Sequence, residues 1–562
     1  MATVSFSISP LAEALGTSEE AVRLILSLLL GYPLAIFQRL FLTKAPPTAY
    51  HVYYTLAGLS IMYFNFGIAT YHSALSVIVN WALLHLLGGS FRSVVLSFIY
   101  NMGTLLLHYY LLGTTTYVIN FTTPQCVLTL RLIGLAWDIY DGTKSPEKQS
   151  ESQKKVVLNR SPTLLEVSGF VYHFGGLMVG PQFPMKQYLF SIGVLTSAEE
   201  KPPISIMLAL QKLATGVVYL CLFTLQTIYL PDDYMISQGF EDLDLLSRWG
   251  FVFIWGRLFV CKLVGVWLIS EGACIICGLA YTPGSDGNPS RMDACQNMKV
   301  VSYELSGSPD ELIQSFNIST NTWLLSYIYK RMRFLGMRLV SHVVTLSYLG
   351  IWHGLLSGYQ AAFLFEVAWV RGARELEEMA RRVPVSRVLS AAGVRIVRWV
   401  ALAFRWLFTW TIFGYMLVPF ALLVADKWIK VYTSLHWIGH LLIGGVLVMS
   451  VVVRSFARRR ATGRGVEMTS PQTVTQSSAS SKTAQTFVTM ATESKTTSWN
   501  IANVSDDSSD DETTTKNSCV QEDILEKQED TVTQNLVAAY LGPSQTQLLD
   551  KFVWEKGENV RH

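Results

Sequence analysis

Two polar segments interrupt an otherwise apolar and aromatic part of the chain. The asparagine segment, SFNISTNTW at residues 315–323, holds Asn317 and Asn321, and the histidine segment, LGIWHGLLSGY at residues 349–359, holds His353. An imidazole can remove a proton from a hydroxyl group, and an amide N–H can stabilise a developing negative charge. By themselves these residues leave a proton relay, a transport site and an acyl-transfer centre open.

The composition defines the surroundings of these residues. The chain has 562 residues, of which 50% are hydrophobic and 15% charged, and its mean hydropathy is +0.32. Such a chain is too apolar for a soluble enzyme of this length. Roughly ten to twelve runs are long enough to cross a bilayer core, which needs about 20 apolar residues each. The pattern predicts a polytopic helical membrane protein, and the net charge of +3 indicates no nucleic-acid partner.

The charge pattern and composition divide the chain at Arg464. Residues 1–464 are predicted to form the membrane domain, and residues 465–562, rich in Ser, Thr, Gln, Asp and Glu, a disordered polar tail. Basic residues gather in the loop at 144–160 and directly after the last apolar run. By the positive-inside rule both clusters, and therefore the tail, face the cytosol.

Other histidines and cysteines were weighed as metal or redox sites. His436 and His440 have the i, i+4 spacing that could offer two imidazoles to one ion on a helix, but no further ligand motif completes the site. Cys274 and Cys277 have the CxxC spacing without a second ligand pair. We therefore predict no metal site and no cofactor.

Taken together, the two polar segments resemble the signature of the membrane-bound O-acyltransferase family, and within it the lysophospholipid acyltransferases. The resemblance extends over roughly residues 13–453. Further stretches that carry it are GYPLAIFQRLF from Gly31, GLSIMYFNFG from Gly58, CVLTLRLIGLAWDIYDG from Cys126, LLEVSGFVYHFGGLMVGPQF from Leu164, MDACQNMKV from Met292 and DKWIKVYTSLHWIGH from Asp426.

This resemblance implies an all-α bundle of about eleven spans that encloses a reaction chamber in the endoplasmic reticulum membrane. It implies acyl-CoA and lysophospholipids as substrates, first lysophosphatidylcholine and also lysophosphatidylethanolamine and lysophosphatidylserine, with a homodimer as a possible assembly. His353 is then the general base, and Asn317 either donates to the oxyanion or orients the imidazole. A membrane transporter and a protein acyltransferase of the same family are the alternatives.

Several other polar or aromatic side chains are candidates for substrate contacts. Lys330 and Arg331 could bind the phosphates of CoA, although basic residues at membrane ends also act as topological anchors. For the polar candidates in the chamber wall, helix capping and interhelical hydrogen bonds are the alternative. The remaining candidates are Trp352, Asn321, Trp323, Asp293, Asn297, Lys299 and Gln182.

Overall fold

The computed structural model describes residues 8–195, 202–284, 289–381 and 391–466. Within these ranges the regular elements are helices, and extended pairing is confined to two isolated β-bridges. The predicted all-α class is confirmed. Apart from its first two residues, the predicted tail at 465–562 lies outside the described residues.

The helices vary in length from one turn to more than eight turns. In chain order the α-helices are α1 (Ser9–Ala14), α2 (Glu19–Phe41), α3 (Pro47–Phe66), α4 (Thr70–Leu87), α5 (Phe91–Leu112), α6 (Thr122–Gly142), α7 (Glu151–Lys154), α8 (Leu164–Val171), α9 (Met185–Ser191), α10 (Ile206–Tyr229), α11 (Gln238–Glu241), α12 (Leu245–Phe259), α13 (Cys261–Cys277), α14 (Val300–Glu304), α15 (Pro309–Ser315), α16 (Ile318–Leu324), α17 (Arg338–His353), α18 (Ser357–Arg381), α19 (Ala391–Leu422), α20 (Ala425–Ser434) and α21 (Ile438–Val466). A π-helix (Leu325–Tyr329) follows α16, and the 3₁₀-helices are Gly67–Ala69, Pro146–Lys148, Asp232–Ile236 and Lys330–Leu335.

Among the described residues, seven helical stretches are long and apolar enough to cross a membrane. Two of these stretches join consecutive α-helices, because Pro47–Leu87 contains α3 and α4, and Leu245–Cys277 contains α12 and α13. The protein is therefore a multi-pass membrane protein. The count of about eleven spans stays a prediction.

Local chemistry explains where the long helices begin and end. The Ser18 hydroxyl accepts a hydrogen bond from the backbone N–H of Ala21, and Glu19 and Glu20 occupy the first turn of α2, where carboxylates stabilise the helix dipole. At its C-terminal end, α5 is followed by Gly113, which has φ 55°. Glycine adopts this left-handed conformation without steric cost.

A buried arginine of α6 fixes the loop that follows α8 and carries the GPQF motif. The guanidinium of Arg131 donates to the carbonyl oxygens of Val171 (3.0 Å), Gly176 (2.6 Å) and Pro181 (3.1 Å). It also lies over the ring of Phe183, 4.2 Å from the centroid. A charge inside the bundle is costly unless it is paired or hydrogen-bonded, so these carbonyls compensate its burial.

The buried apolar side chains form two clusters, and α18 contributes to both. The smaller cluster includes Trp323, Trp352 and Val367, whereas the larger includes Trp369 and Phe413. We call the boundary between the two clusters on α18 the seam. The histidine segment and the asparagine segment both reach it.

Candidate active site

His353 is the last residue of α17, and the turn behind it requires glycine. Gly354 has φ 154°, and a Cβ on this residue would lie 2.7 Å from the ring of Tyr359. Since real side chains do not approach so closely, any larger residue would push the turn open. The glycine thus brings the start of α18 back against the imidazole.

The His353 ring lies among four aromatic rings. The centroids are 4.7 Å from Trp352, 5.7 Å from Tyr359, 5.3 Å from Phe363 and 5.2 Å from Phe420. The residue is half-buried, and none of the described residues forms a hydrogen bond with its side chain. Both ring nitrogens are therefore available to a bound substrate.

Asn317 occupies a conformation that few residue types tolerate. Its backbone is left-handed, with φ 51° and ψ 42°, and it immediately precedes α16 without capping that helix through its side chain. Asparagine is enriched at such positions. The side-chain amide of Asn321 holds the turn by donating to the carbonyl oxygens of Ile313 (3.1 Å) and Phe316 (2.9 Å). In the described part of the chain, no hydrogen bond involves the Asn317 amide.

The histidine segment is tied to the N-terminal end of α6. The indole N–H of Trp352 donates to the carbonyl oxygen of Cys126 (2.9 Å), and the carbonyl oxygen of Trp352 accepts from the hydroxyl of Tyr109 on α5 (3.0 Å). These two bonds fix the position of the last turn of α17 relative to α5 and α6. The indole N–H of Trp352 is therefore already used within the bundle. A substrate contact of Trp352 stays a prediction.

The asparagine segment is tied to the same end of α6 through Gln182. The Gln182 side chain donates to the carbonyl oxygen of Val127 (3.0 Å), and its backbone N–H donates to the hydroxyl of Ser319 (3.0 Å). Val127 directly follows Cys126, which accepts from the histidine segment. Both polar segments are therefore anchored on neighbouring carbonyls of one helix.

Asn297 is a second anchor of the asparagine segment. Its side-chain oxygen accepts from the backbone N–H (3.0 Å) and the hydroxyl (2.7 Å) of Ser319, and its carbonyl oxygen accepts from Ile318. The backbone N–H of Asn297 in turn donates to the carboxylate of Glu271 (2.6 Å), which pairs with Lys212 (2.5 Å). Asn297 thus uses its side-chain oxygen and both of its backbone polar groups inside the protein.

The contacts of Trp323 and of the two basic candidates lie further along α6, toward its C-terminal end. The indole N–H of Trp323 donates to the carbonyl oxygen of Leu130 (2.9 Å). Arg331 forms a bidentate ion pair with Asp141, and Lys330 donates to the hydroxyl of Ser152 (3.3 Å). Lys330 and Arg331 therefore lie at the C-terminal end of α6, far along the helix from the carbonyls that hold the histidine segment.

Asp293 and Lys299 lie on the stretch between α13 and α14. Asp293 accepts from the hydroxyl of Thr282 (2.8 Å) and pairs with Arg291 (2.9 Å), which closes the surrounding loop. Lys299 is exposed, and its backbone N–H donates to the carbonyl oxygen of Ser315. A substrate contact of either side chain stays a prediction.

The prediction that His436 and His440 lie on one helix is wrong. His436 lies in the turn between α20 and α21, with φ 52°, so the two imidazoles do not share one helical face. His440 instead forms a hydrogen bond with the hydroxyl of Tyr415 (2.7 Å). Within the described ranges, no group of three or more potential metal ligands occurs.

One acidic residue near the site did not emerge from the sequence analysis. Glu366 lies on α18 three residues after Phe363, whose ring contacts His353. The available signal was a single carboxylate in the apolar run AAFLFEVAWV, since an ionisable group in such a run is usually functional.

Comparisons with known proteins identify the family of the chain. Residues 106–419 match the model of the membrane-bound O-acyltransferase family. Lysophospholipid acyltransferase 5 from Bos taurus is 40% identical over 451 residues, covering 80% of this chain and 92% of the relative. The Homo sapiens protein of that name is 39% identical over 438 residues (77% and 89%), and the Caenorhabditis elegans protein 33% identical over 442 residues (77% and 92%). The chain belongs to the membrane-bound O-acyltransferase family.

Proposed function

We propose that this protein transfers the acyl group of acyl-CoA to the free hydroxyl of a lysophospholipid in the endoplasmic reticulum membrane. The observation that carries the proposal is that His353 and Asn317 belong to segments anchored at the same end of α6, and that neither side chain has a hydrogen-bonding partner among the described residues. The names of the relatives support the choice of a lysophospholipid as acceptor.

In the proposed reaction, His353 removes the proton from the lysophospholipid hydroxyl while its oxygen attacks the thioester carbonyl. The carbonyl oxygen becomes an oxyanion, to which the Asn317 amide donates. When the tetrahedral intermediate collapses, the carbon–sulfur bond breaks, and the CoA sulfur takes the proton from the imidazolium. The products are a phospholipid and CoA. Because the thioester already stores the required free energy, the step balances without any redox change.

The aromatic surroundings of the imidazole suit this chemistry. The rings of Trp352, Tyr359, Phe363 and Phe420 give the space beside His353 an apolar lining, which disfavours water. Exclusion of water strengthens hydrogen bonds at the reacting atoms and protects the thioester from hydrolysis. We propose that the reaction chamber lies along the seam, with a lateral opening for the lysophospholipid.

The C-terminal end of α6 is the proposed entrance for acyl-CoA. There Asp141 is shared between Arg331 and Lys144, so that two cations face one carboxylate, and Lys330 donates only to a hydroxyl. The excess of positive charge favours the phosphates of CoA. The same loop is predicted to face the cytosol, where acyl-CoA is dissolved.

The proposal is tested with purified protein in nanodiscs, a panel of lysophospholipids and saturated and polyunsaturated acyl-CoAs. We expect CoA release that depends on both substrates, with lysophosphatidylcholine the preferred acceptor over lysophosphatidylethanolamine and lysophosphatidylserine. Acylation of a secreted peptide without activity on any lysophospholipid would contradict the proposal and favour a protein acyltransferase. Solute flux into proteoliposomes without CoA release would favour a transporter.

A further inference from the structure

Glu366 is a carboxylic acid on α18 that the proposed mechanism does not use. It is half-buried, and among the described residues nothing forms a hydrogen bond or an ion pair with it. Other glutamates on the same helix differ in this respect. Glu375 pairs with Arg371 and Arg454, and Glu377 pairs with Arg405.

Helical spacing directs Glu366 toward the seam. Tyr359, Phe363 and Glu366 stand at i, i+4 and i+7, which places them on one face of a helix, and the first two contact the ring of the catalytic candidate. On one side of this face Val367 belongs to the smaller apolar cluster. On the other side Trp369 belongs to the larger cluster.

The asparagine segment is linked to the same part of α18 through two ring contacts. The ring of Trp369 stacks on Phe413 (6.4 Å between centroids), and Phe413 packs edge-on against Phe316 (6.2 Å). Phe316 directly precedes Asn317. Glu366 therefore stands on the seam between the two polar segments.

An unpaired carboxyl group in this position stays protonated unless a cation pairs with it, since a buried charge without a partner is costly. No described residue supplies a cation, but a zwitterionic lysophospholipid brings one in its headgroup. A quaternary ammonium has no hydrogen to donate, so proteins recognise it with carboxylates and aromatic faces. The rings that surround His353 provide such faces on the same helical face as Glu366.

We infer that Glu366 determines headgroup specificity by pairing with the cationic nitrogen of the lysophospholipid. The inference rests on the proposed function. From Tyr359 to Glu366 the helix rises about 10 Å, a length that a phosphocholine headgroup can bridge when its glycerol hydroxyl lies at the imidazole. A headgroup without a cation gains nothing from this contact.

The test compares Glu366→Gln with the parental enzyme on two acceptors and one acyl-CoA. Lysophosphatidylcholine carries the cation, whereas lysophosphatidylinositol does not. We expect kcat/KM for lysophosphatidylcholine to fall by roughly tenfold or more, while kcat/KM for lysophosphatidylinositol and the KM for acyl-CoA stay unchanged. Glu366→Asp, which keeps the charge, should restore part of the loss. Glu377→Gln, on the same helix but outside the seam, should leave the ratio unchanged.

Three results would overturn the inference. An equal fall on both acceptors, with a shifted pH profile, would assign proton transfer to Glu366. An unchanged ratio between the two acceptors would remove it from headgroup recognition. Loss of acyl-CoA binding together with both activities would assign it to maintenance of the bundle. If instead the parental enzyme acylates no lysophospholipid, the proposed function itself fails.

Discussion

At the scale of single residues, His353 and Asn317 share a property that separates them from their polar neighbours. In the described ranges, neither side chain has a hydrogen-bonding partner, whereas Gln182, Asn297 and Asn321 use theirs to hold backbone and side chains in place. Polar groups inside a bundle are normally paired. Both side chains are therefore available for a substrate.

Replacing Asn317 separates its chemical role from its conformational role. In Asn317→Ala the amide is lost and a Cβ remains at φ 51°, so we expect lower thermal stability and, if the amide donates to the oxyanion, a rate reduced by about 10²–10³. Asn317→Gly is the matched variant, because glycine relieves the backbone strain without restoring the amide. Initial rates at saturating acyl-CoA and melting curves measure the two effects. A glycine variant with the parental rate would exclude Asn317 from the chemistry.

At the scale of elements, α6 is the frame on which the site is assembled. Along its length its carbonyls and carboxylates accept from the histidine segment, the GPQF loop, α16, the π-helix and the 3₁₀-helix that follows. The contacts, from one end to the other, are Cys126 with Trp352, Val127 with Gln182, Leu130 with Trp323, Asp138 with Tyr327 and Asp141 with Arg331. Displacing one of these elements along α6 would displace a candidate catalytic side chain.

We expect Trp352→Phe to test this frame. The substitution keeps an aromatic ring beside His353 but removes the N–H that donates to Cys126, which should cost about 0.5–1.5 kcal/mol for the hydrogen bond. The maximal rate should fall more than the affinity for acyl-CoA, because the imidazole is no longer held in a fixed position relative to α6. Trp406→Phe removes an indole hydrogen bond to Glu304 and serves as the control. Equal rates in both variants would argue against the anchoring role of Trp352.

Which helices form could be predicted from the sequence, but how they are anchored could not. Long apolar runs determined the class, and the resemblance of the two polar segments to the family signature indicated the candidate site. The pairs that hold the site, such as Asn297 with Ser319 or Arg331 with Asp141, join residues distant in the chain, and no local pattern indicates them. For the same reason the sequence did not show that these polar candidates are engaged within the protein.

The number of spans was difficult to predict for a physical reason. Apolar runs continue through short turns, as between α3 and α4 or at Val260 between α12 and α13. Conversely, α6 is largely buried although it carries Arg131, Asp138 and Asp141. A helix buried among other helices can carry charged residues that a lipid-facing helix cannot. Hydropathy alone therefore neither divides a continuous apolar run into its separate helices nor identifies a buried helix that carries charged residues.

At the scale of the whole molecule, ion pairs mark one end of the bundle. Arg454 on α21 pairs with Glu375 and Glu378 on α18, so the polar ends of these helices lie on the same side. Arg454 belongs to the basic cluster after the last span, which the positive-inside rule assigns to the cytosol. The outer helices expose apolar side chains such as Leu107 on α5 and Val218 on α10, as contact with lipid requires.

This orientation predicts which loops react with a membrane-impermeant thiol reagent. A cysteine introduced at Lys148 should be labelled in sealed microsomes, because the basic loop faces the cytosol. A cysteine at Thr115, on the other side of α6, should be labelled only after the membrane is permeabilised. Both variants are made in a background without accessible native thiols. Labelling of Thr115→Cys in sealed microsomes would invert the topology.

The polar tail should be dispensable for the reaction. The sequence after residue 466 has almost no apolar periodicity before the stretch at 534–557 and lacks the apolar surface needed to pack against the bundle, so a protein truncated after Val466 should keep the parental acyl-transfer rate in microsomes. Immunoblotting of the truncated protein controls for its abundance. If an abundant, folded truncation product were inactive, the tail would belong to the catalytic machinery.

The central claim is that His353 is the general base, and the rate of His353→Ala tests it most directly. Purified parental and variant enzymes are compared at saturating acyl-CoA and lysophosphatidylcholine, with acyl-CoA binding measured in parallel. The account predicts a rate reduced by about 10²–10⁴ with acyl-CoA binding retained, and no further multiplication of the loss when Asn317→Ala is added, since both residues act on one addition step. A folded His353→Ala enzyme that binds acyl-CoA and acylates lysophosphatidylcholine at nearly the parental rate would contradict the account.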